Sequence, residues 1–212
     1  MGSTTRRLAA ALGLAAALCV IAPTLAPAAS GSPGTVVTSV VDRLDPSCGY
    51  STSQVFRPFG DLAYYFLAPG GNAESNRWAA SGGAGVVTGK GVLATGASSY
   101  SLPKGGTITS GAFCLNLDGP TVRFSVNDPG VRGAVLRLEA LWTPPAGATL
   151  ALPVAVVPST TKGVRLVAPS LLLANFTTLL RPTRNTTIKL RFTSDQGAWQ
   201  VDDVYVDPFK RV

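Results

Sequence analysis

The chain contains no histidine, one methionine and only 11 acidic residues among 212. Without histidine, neither a Ser-His-Asp nor a Cys-His nucleophile system can be assembled, and the usual zinc ligand sets lose a principal donor. The glycine-rich stretches at 81–85 and 89–91 lack the P-loop lysine and the helix that follows it, so no phosphate-cradling motif is present. Charged residues make up 14% of the sequence, with no run or stripe of Lys and Arg, which argues against a nucleic-acid partner. Glycoside hydrolysis needs two carboxyl groups facing one bond. The one close pair is Asp202-Asp203, and neighbours on a strand point to opposite faces. These absences point away from an enzyme.

Long apolar runs are missing too. The most apolar stretch, Leu8 to Ala22, is about fifteen residues, short of the ~20 needed to span a bilayer. Arg6-Arg7 precedes it and the small-residue site Ala26-Pro27-Ala28 follows it, the layout of a secretory signal peptide over residues 1–28. Lipid anchoring at Cys19 is disfavoured by Leu18, where that processing wants a small residue. Secretion or placement in the cell envelope is the expectation, with no membrane span after cleavage. Residues 29–45, opening Ser30-Gly31-Ser32-Pro33-Gly34, read as a flexible lead-in to one domain over 46–212. The formal charge of +7 falls by two with the leader and stays scattered, compatible with an anionic wall or acidic polymer. Two cysteines remain, Cys48 and Cys114. An oxidising exterior favours a disulfide between them, the other state being two buried thiols.

What is abundant is β-branched and aromatic residues in short runs between Gly and Pro turns. In 121–126, Val122, Phe124 and Val126 oppose Thr121, Arg123 and Ser125. In 186–192, Ile188, Leu190 and Phe192 oppose Lys189 and Arg191, and Leu136 and Leu138 oppose Arg137 and Glu139. Period-two alternation with one polar face marks antiparallel sheets. Eight or more such runs predict an all-β fold of antiparallel strands, a sandwich or a barrel. The segment 170–180 (SLLLANFTTLL) departs from this pattern. It reads as a short helix capped by Ser170, with Leu172, Leu173, Phe176, Leu179 and Leu180 packed on the sandwich, or as an exposed apolar docking loop. Asn175-Phe176-Thr177 and Asn185-Thr186-Thr187 match the N-glycosylation triplet.

Strict alternation over 199–206 puts Trp199, Val201, Asp203 and Tyr205 on one face, and Gln200, Asp202, Val204 and Val206 on the other. An acid among apolar neighbours needs a cation or hydrogen bonds. Asp202, Asp203 and Asp207 with Glu74 are oxygen donors suited to Ca²⁺; alternatively one Asp faces solvent and the other takes backbone amides or an Arg.

Four stretches occur in a telling order: Asn72-Ala73-Glu74, Arg77-Trp78-Ala79-Ala80-Ser81-Gly82-Gly83-Ala84, Ser98-Ser99-Tyr100-Ser101-Leu102-Pro103, and Trp199 to Val206. Over roughly residues 66–207 the chain thereby resembles the jelly-roll carbohydrate-binding modules of the galactose-binding-like group. It is also similar to a set of secreted actinobacterial proteins with two comparably placed cysteines. The resemblance implies a non-catalytic module for extracellular or wall carbohydrate. It also implies a structural calcium held by Glu74 and Asp202, with Asp203 as the substitute ligand. The family's longer Asn-x-x-Phe-Glu opening is reduced here to Asn72-Ala73-Glu74. Sugar binding needs an exposed aromatic face with polar groups around it. Trp142, at a strand end before Thr143-Pro144-Pro145, is the ring expected to be exposed, and one of Tyr64 and Tyr65 must point outward. Trp78 and Tyr205 are further candidate rings, although the resemblance places Trp78 and Trp199 in the interior. The rival from another class is a structural or adhesive envelope protein that meets other proteins through 170–180 or a sheet edge.

Overall fold

The computed structural model describes residues 48–74, 78–89, 96–117, 119–180 and 185–207, with main chain only at 175, 176, 179 and 180. The leader, residues 1–28, and the lead-in, residues 29–45, lie outside these, as do the side chains of Phe176, Leu179 and Leu180.

The alternating runs form an all-β sandwich of two antiparallel sheets. One has seven strands: β1 (Phe66–Leu67), β3 (Gly85–Thr88), β4 (Ser98–Leu102), β7 (Thr121–Asp128), β10 (Gly163–Leu166), β11 (Ser170–Leu171) and β13 (Trp199–Asp207). Its spatial order is β10-β7-β13-β4-β3, with β1 also on β13 and β11 on β7. The other has six: β2 (Ala79–Ser81), β5 (Thr107–Thr109), β6 (Phe113–Asn116), β8 (Val135–Trp142), β9 (Leu150–Pro158) and β12 (Asn185–Gln196). It runs β2-β5-β12-β8-β9, with β6 beside β12.

The apolar residues of each alternating strand meet between the sheets. Val122, Phe124 and Val126 of β7 and Ile188, Leu190 and Phe192 of β12 are all buried in one cluster. Phe124 and Phe192 meet edge-to-face across the layers, with centroids 4.9 Å apart. Trp78 stacks over Phe192 at 6.0 Å, and its indole N–H donates to the Pro69 carbonyl at 2.8 Å. Each such large side chain contributes about 1.5–3 kcal/mol through burial.

Two expectations need correction. β13 does not alternate throughout: its register with β7 shifts between Asp202 and Tyr205, a β-bulge with Asp203 at φ 51°. The extra residue turns Val204 and Val206 inward beside Trp199 and Val201, while Tyr205 pairs with the outward Arg123. The 170–180 segment does carry a short helix, but Ser170 lies in a strand and does not cap it. Ser170–Leu171 pair with β7, and Leu173–Leu180 form a 3₁₀ helix. Leu172, Ala174 and Thr178 are buried there, but Leu173 faces solvent. Of the residues expected to pack whose side chains are described, Leu172 does so and Leu173 does not.

Ahead of β1, residues 50–65 form a strap over the outer face of the seven-stranded sheet. Phe56 is buried there, edge-on to Tyr65 and Tyr205 at 4.8 and 5.4 Å, with the Arg123 guanidinium over its ring. Asp61 ion-pairs with Arg123 and accepts the Tyr65 hydroxyl at 2.6 Å and the Ala63 amide at 2.9 Å. A Cys48–Cys114 disulfide, with Cα atoms 5.8 Å apart, ties the start of the strap to β6.

Candidate functional site

The aromatic rings expected to face a ligand are differently placed. Trp142 is 8% exposed, and its indole N–H donates to Thr186 Oγ1 at 2.9 Å. It ends β8 with the parity of Leu136, Leu138 and Ala140, so the strand carries it inward; it offers no face for stacking. Tyr65 is buried, and burial together with its bond to Asp61 raises its pKa. Tyr64 is half-buried and is the outward member of that pair. Among the described residues the exposed aromatic is Phe59, at 56%, on the 3₁₀ turn Arg57–Phe59.

The acids do not gather as expected. Glu74 is exposed, and its Oε1 accepts the amides of Ala97 and Ser98 at 2.7 and 2.9 Å. It fastens the turn after β1 to the start of β4. Gly96 lies against it, and an added Cβ there would push that oxygen from its place. Asp202 and Asp203 are both buried on the bulge, where the Asp203 amide donates to Asp202 Oδ1 at 2.8 Å. Among the described residues no three His, Cys, Asp or Glu side chains converge on one point. Glu74, Asp202 and Asp203 are therefore not one ligand cluster. The aspartate pair is instead buried, with partners of its own, on a bulge that exchanges main-chain bonds with the 68–71 turn. Their charge reaches two phenols. Burial first, then Asp203 and Asp202, raises the Tyr205 pKa, and burial first, then the Asp202 charge, pushes Tyr100 up to about 12 despite an opposing backbone bond.

The concave feature lies on the outer face of the six-stranded sheet. A groove of about 300 Å³ is lined by Thr109, Ala112, Leu141, Thr143, Thr149, Thr187, Ile188 and Lys189. β12 sends Thr187 and Lys189 outward between the inward Thr186, Ile188 and Leu190. Lys189 lies opposite Leu141 of β8, and Thr187 opposite the disulfide-bonded Cys114 of β6. Thr143 and Thr149 close one end, their hydroxyls 2.7 Å apart across the β8–β9 turn. The groove thus presents threonine hydroxyls, each able to donate and accept, around the apolar side of Leu141. Alternation within β12 marked Thr187 and Lys189 as outward. The convergence of Thr109 and Thr149 from distant strands has no local signal. A smaller hollow of about 180 Å³ on the other sheet holds Ser101, Asn127, Gln200 and Lys162, with the two amide side chains bonded to each other at 3.2 Å.

No protein-family model matches the chain, and no curated protein matches it. Among solved structures it is similar to the CBM22-1 xylan-binding domain from Paenibacillus barcinonensis Xyn10C, at 16% identity and TM-score 0.42, covering 70% of this chain and 94% of that one. It is also similar to TmCBM61 in complex with β-1,4-galactotriose, at 15% identity and TM-score 0.36, covering 65% and 94%. A family 6 carbohydrate-binding module is similar at 9% identity and TM-score 0.39, covering 68% and 92%.

Proposed function

We propose that this protein is a secreted, non-catalytic module that binds extracellular or cell-wall carbohydrate. The observation that carries the reading is the hydroxyl-lined groove of the six-stranded sheet. Its threonines match the alternating donors and acceptors of a sugar ring, and Leu141 meets the ring's apolar side. The strand motifs resembling carbohydrate-binding modules support it, and the leader-like N-terminus and the Cys48–Cys114 bridge suit an extracellular setting. Most described acids are already engaged: Asp61, Asp128, Glu139 and Asp195 each pair with an arginine, and Glu74 holds two amides. That engagement favours binding over acid–base chemistry. Calcium, in this reading, is structural and sits at Asp202 and Asp203 rather than in the groove.

Retention of the oxidised full chain on insoluble polysaccharides, with calcium and with chelator, tests the proposal. Binding to at least one polymer is expected, weakened several-fold by Thr187→Val at an unchanged melting temperature. Failure to bind any of them would remove this reading.

One observation favours a second reading, a protein-facing envelope role. The edge strand β9 carries no charged residue and runs beside the 170–180 segment. Leu150, Val156, Leu171 and Leu173 are all exposed along this region, Val156 at 65%. Such apolar exposure is a common mark of a partner surface. Loss of a co-purifying envelope protein on Leu171→Ser and Leu173→Ser, with polysaccharide retention intact, would support it.

A further inference from the structure

The groove also carries a charge signature. We infer that its ligand is an acidic polysaccharide, with the carboxylate of a uronic acid residue seated on Lys189; this rests on the carbohydrate reading above. The outward row of β12 runs Thr187, Lys189, Arg191, Thr193, Asp195. Its arginine is already neutralised: Arg191 holds Glu139 Oε2 through both Nε and Nη2, at 3.0 and 2.8 Å. On the neighbouring strand, Arg137 is paired with Asp195 at 2.6 Å. Lys189 makes no ion pair with any described residue, although it lines the groove beside four threonines.

Among the described residues the sheet therefore pairs its two arginines with acids and leaves one cation, at the groove. An ammonium offers three donors and no acceptor. Against a neutral sugar it would give up hydration and receive only hydroxyl oxygens in return. A carboxylate restores a full charge partner through a shorter, stronger hydrogen bond, while the threonines take the neighbouring hydroxyls. The positive formal charge of the chain favours encounter with such a polyanion. Pairing of Thr187 with the cross-linked Cys114 holds this end of the groove in place.

The test compares polygalacturonate with the same polymer after carboxyl reduction, which keeps the linkages and removes the charge, by affinity electrophoresis of the oxidised full chain. Expected is at least a ~10-fold preference for the unreduced polymer, the scale of one charge-assisted hydrogen bond. Lys189→Ala should abolish that preference, Lys189→Arg should restore most of it, and Arg132→Ala, on an exposed turn elsewhere, should leave it unchanged. Equal binding of the two polymers, weakened by Thr187→Val but not by Lys189→Ala, would overturn the acidic ligand and leave carbohydrate binding standing. Equal loss from Arg132→Ala and Lys189→Ala would overturn the seat, showing diffuse charge attraction. Failure to bind either of these polymers or any neutral one would overturn both readings.

Discussion

At the scale of single residues, a side chain's place is decided by strand parity and by where its polar atoms find partners. Trp142 shows both. Its position before Thr143-Pro144-Pro145 suggests an exposed strand end, yet it is two residues beyond Ala140 on the inward face, and Thr186 accepts its indole N–H. Trp142→Phe should cost about 1–2 kcal/mol, because the buried Thr186 hydroxyl loses its donor. Trp142→Ala should cost about 3–5 kcal/mol through the cavity it leaves. Urea denaturation followed by tryptophan fluorescence measures both. Unchanged stability in the alanine variant would contradict the buried placement. The inward direction was legible from Leu136 and Leu138 alone, since parity along an unbroken strand outranks proximity to a turn. Lys189 was legible as outward for the same reason. That no described residue pairs with its charge was not, because that depends on Arg191 meeting Glu139 of β8.

At the scale of elements, regular strands could be read from their periodicity and the irregular ones could not. β7, β8 and β12 follow the alternation in the sequence, but one inserted residue in β13 inverts the facing of everything after it. Nothing local in Val201-Asp202-Asp203-Val204 announces that insertion, although Asp adopts positive φ more readily than β-branched neighbours. The bulge is held from outside. Val204 exchanges main-chain bonds with Ala68 and Gly71, and a Cβ on Gly71 would lie 2.8 Å from the Val204 carbonyl. Gly71→Ala should therefore displace the turn and lower the melting temperature by several degrees. A calcium ion on the aspartate pair would add a second restraint. Adding calcium to chelator-treated protein should raise the melting temperature, and Asp202→Asn should remove the increment while the protein still folds. Identical melting curves with calcium and with chelator would exclude the ion as a structural ligand.

At the scale of the whole molecule, two features set stability. The Cys48–Cys114 bridge closes a separation of 66 residues, about 4 kcal/mol in the chain-entropy model. The Cys48→Ser, Cys114→Ser double variant should show a loss of that order, read by denaturant midpoint. The second feature is the pH profile. With no histidine in the chain, no side chain of ordinary pKa titrates between about pH 5 and 8, so stability should be flat there. At the acid end, burial alone would raise Asp61 and Asp128. Hydrogen bonds from Tyr65 and Ala63 with the Arg123 charge, and from Ser159, Gly130 and Thr160 with the Arg165 charge, more than offset it and hold both below 3.8. Their contribution is full above that value and is lost as pH falls through the lower folded values. At the alkaline end, Tyr65, Tyr100 and Tyr205 all lie above 10.0 in the fold, burial being the largest cause in each. A raised folded pKa stabilises fully below the unfolded value, so this contribution fades as pH rises from 10 through about 12, the folded value of Tyr100. Urea midpoints measured from pH 3 to 11 should trace a plateau with two falling shoulders. An acid limb that stays flat as pH falls below 3.8 would contradict the profile, because Asp61 and Asp128 are both held below that value in the fold.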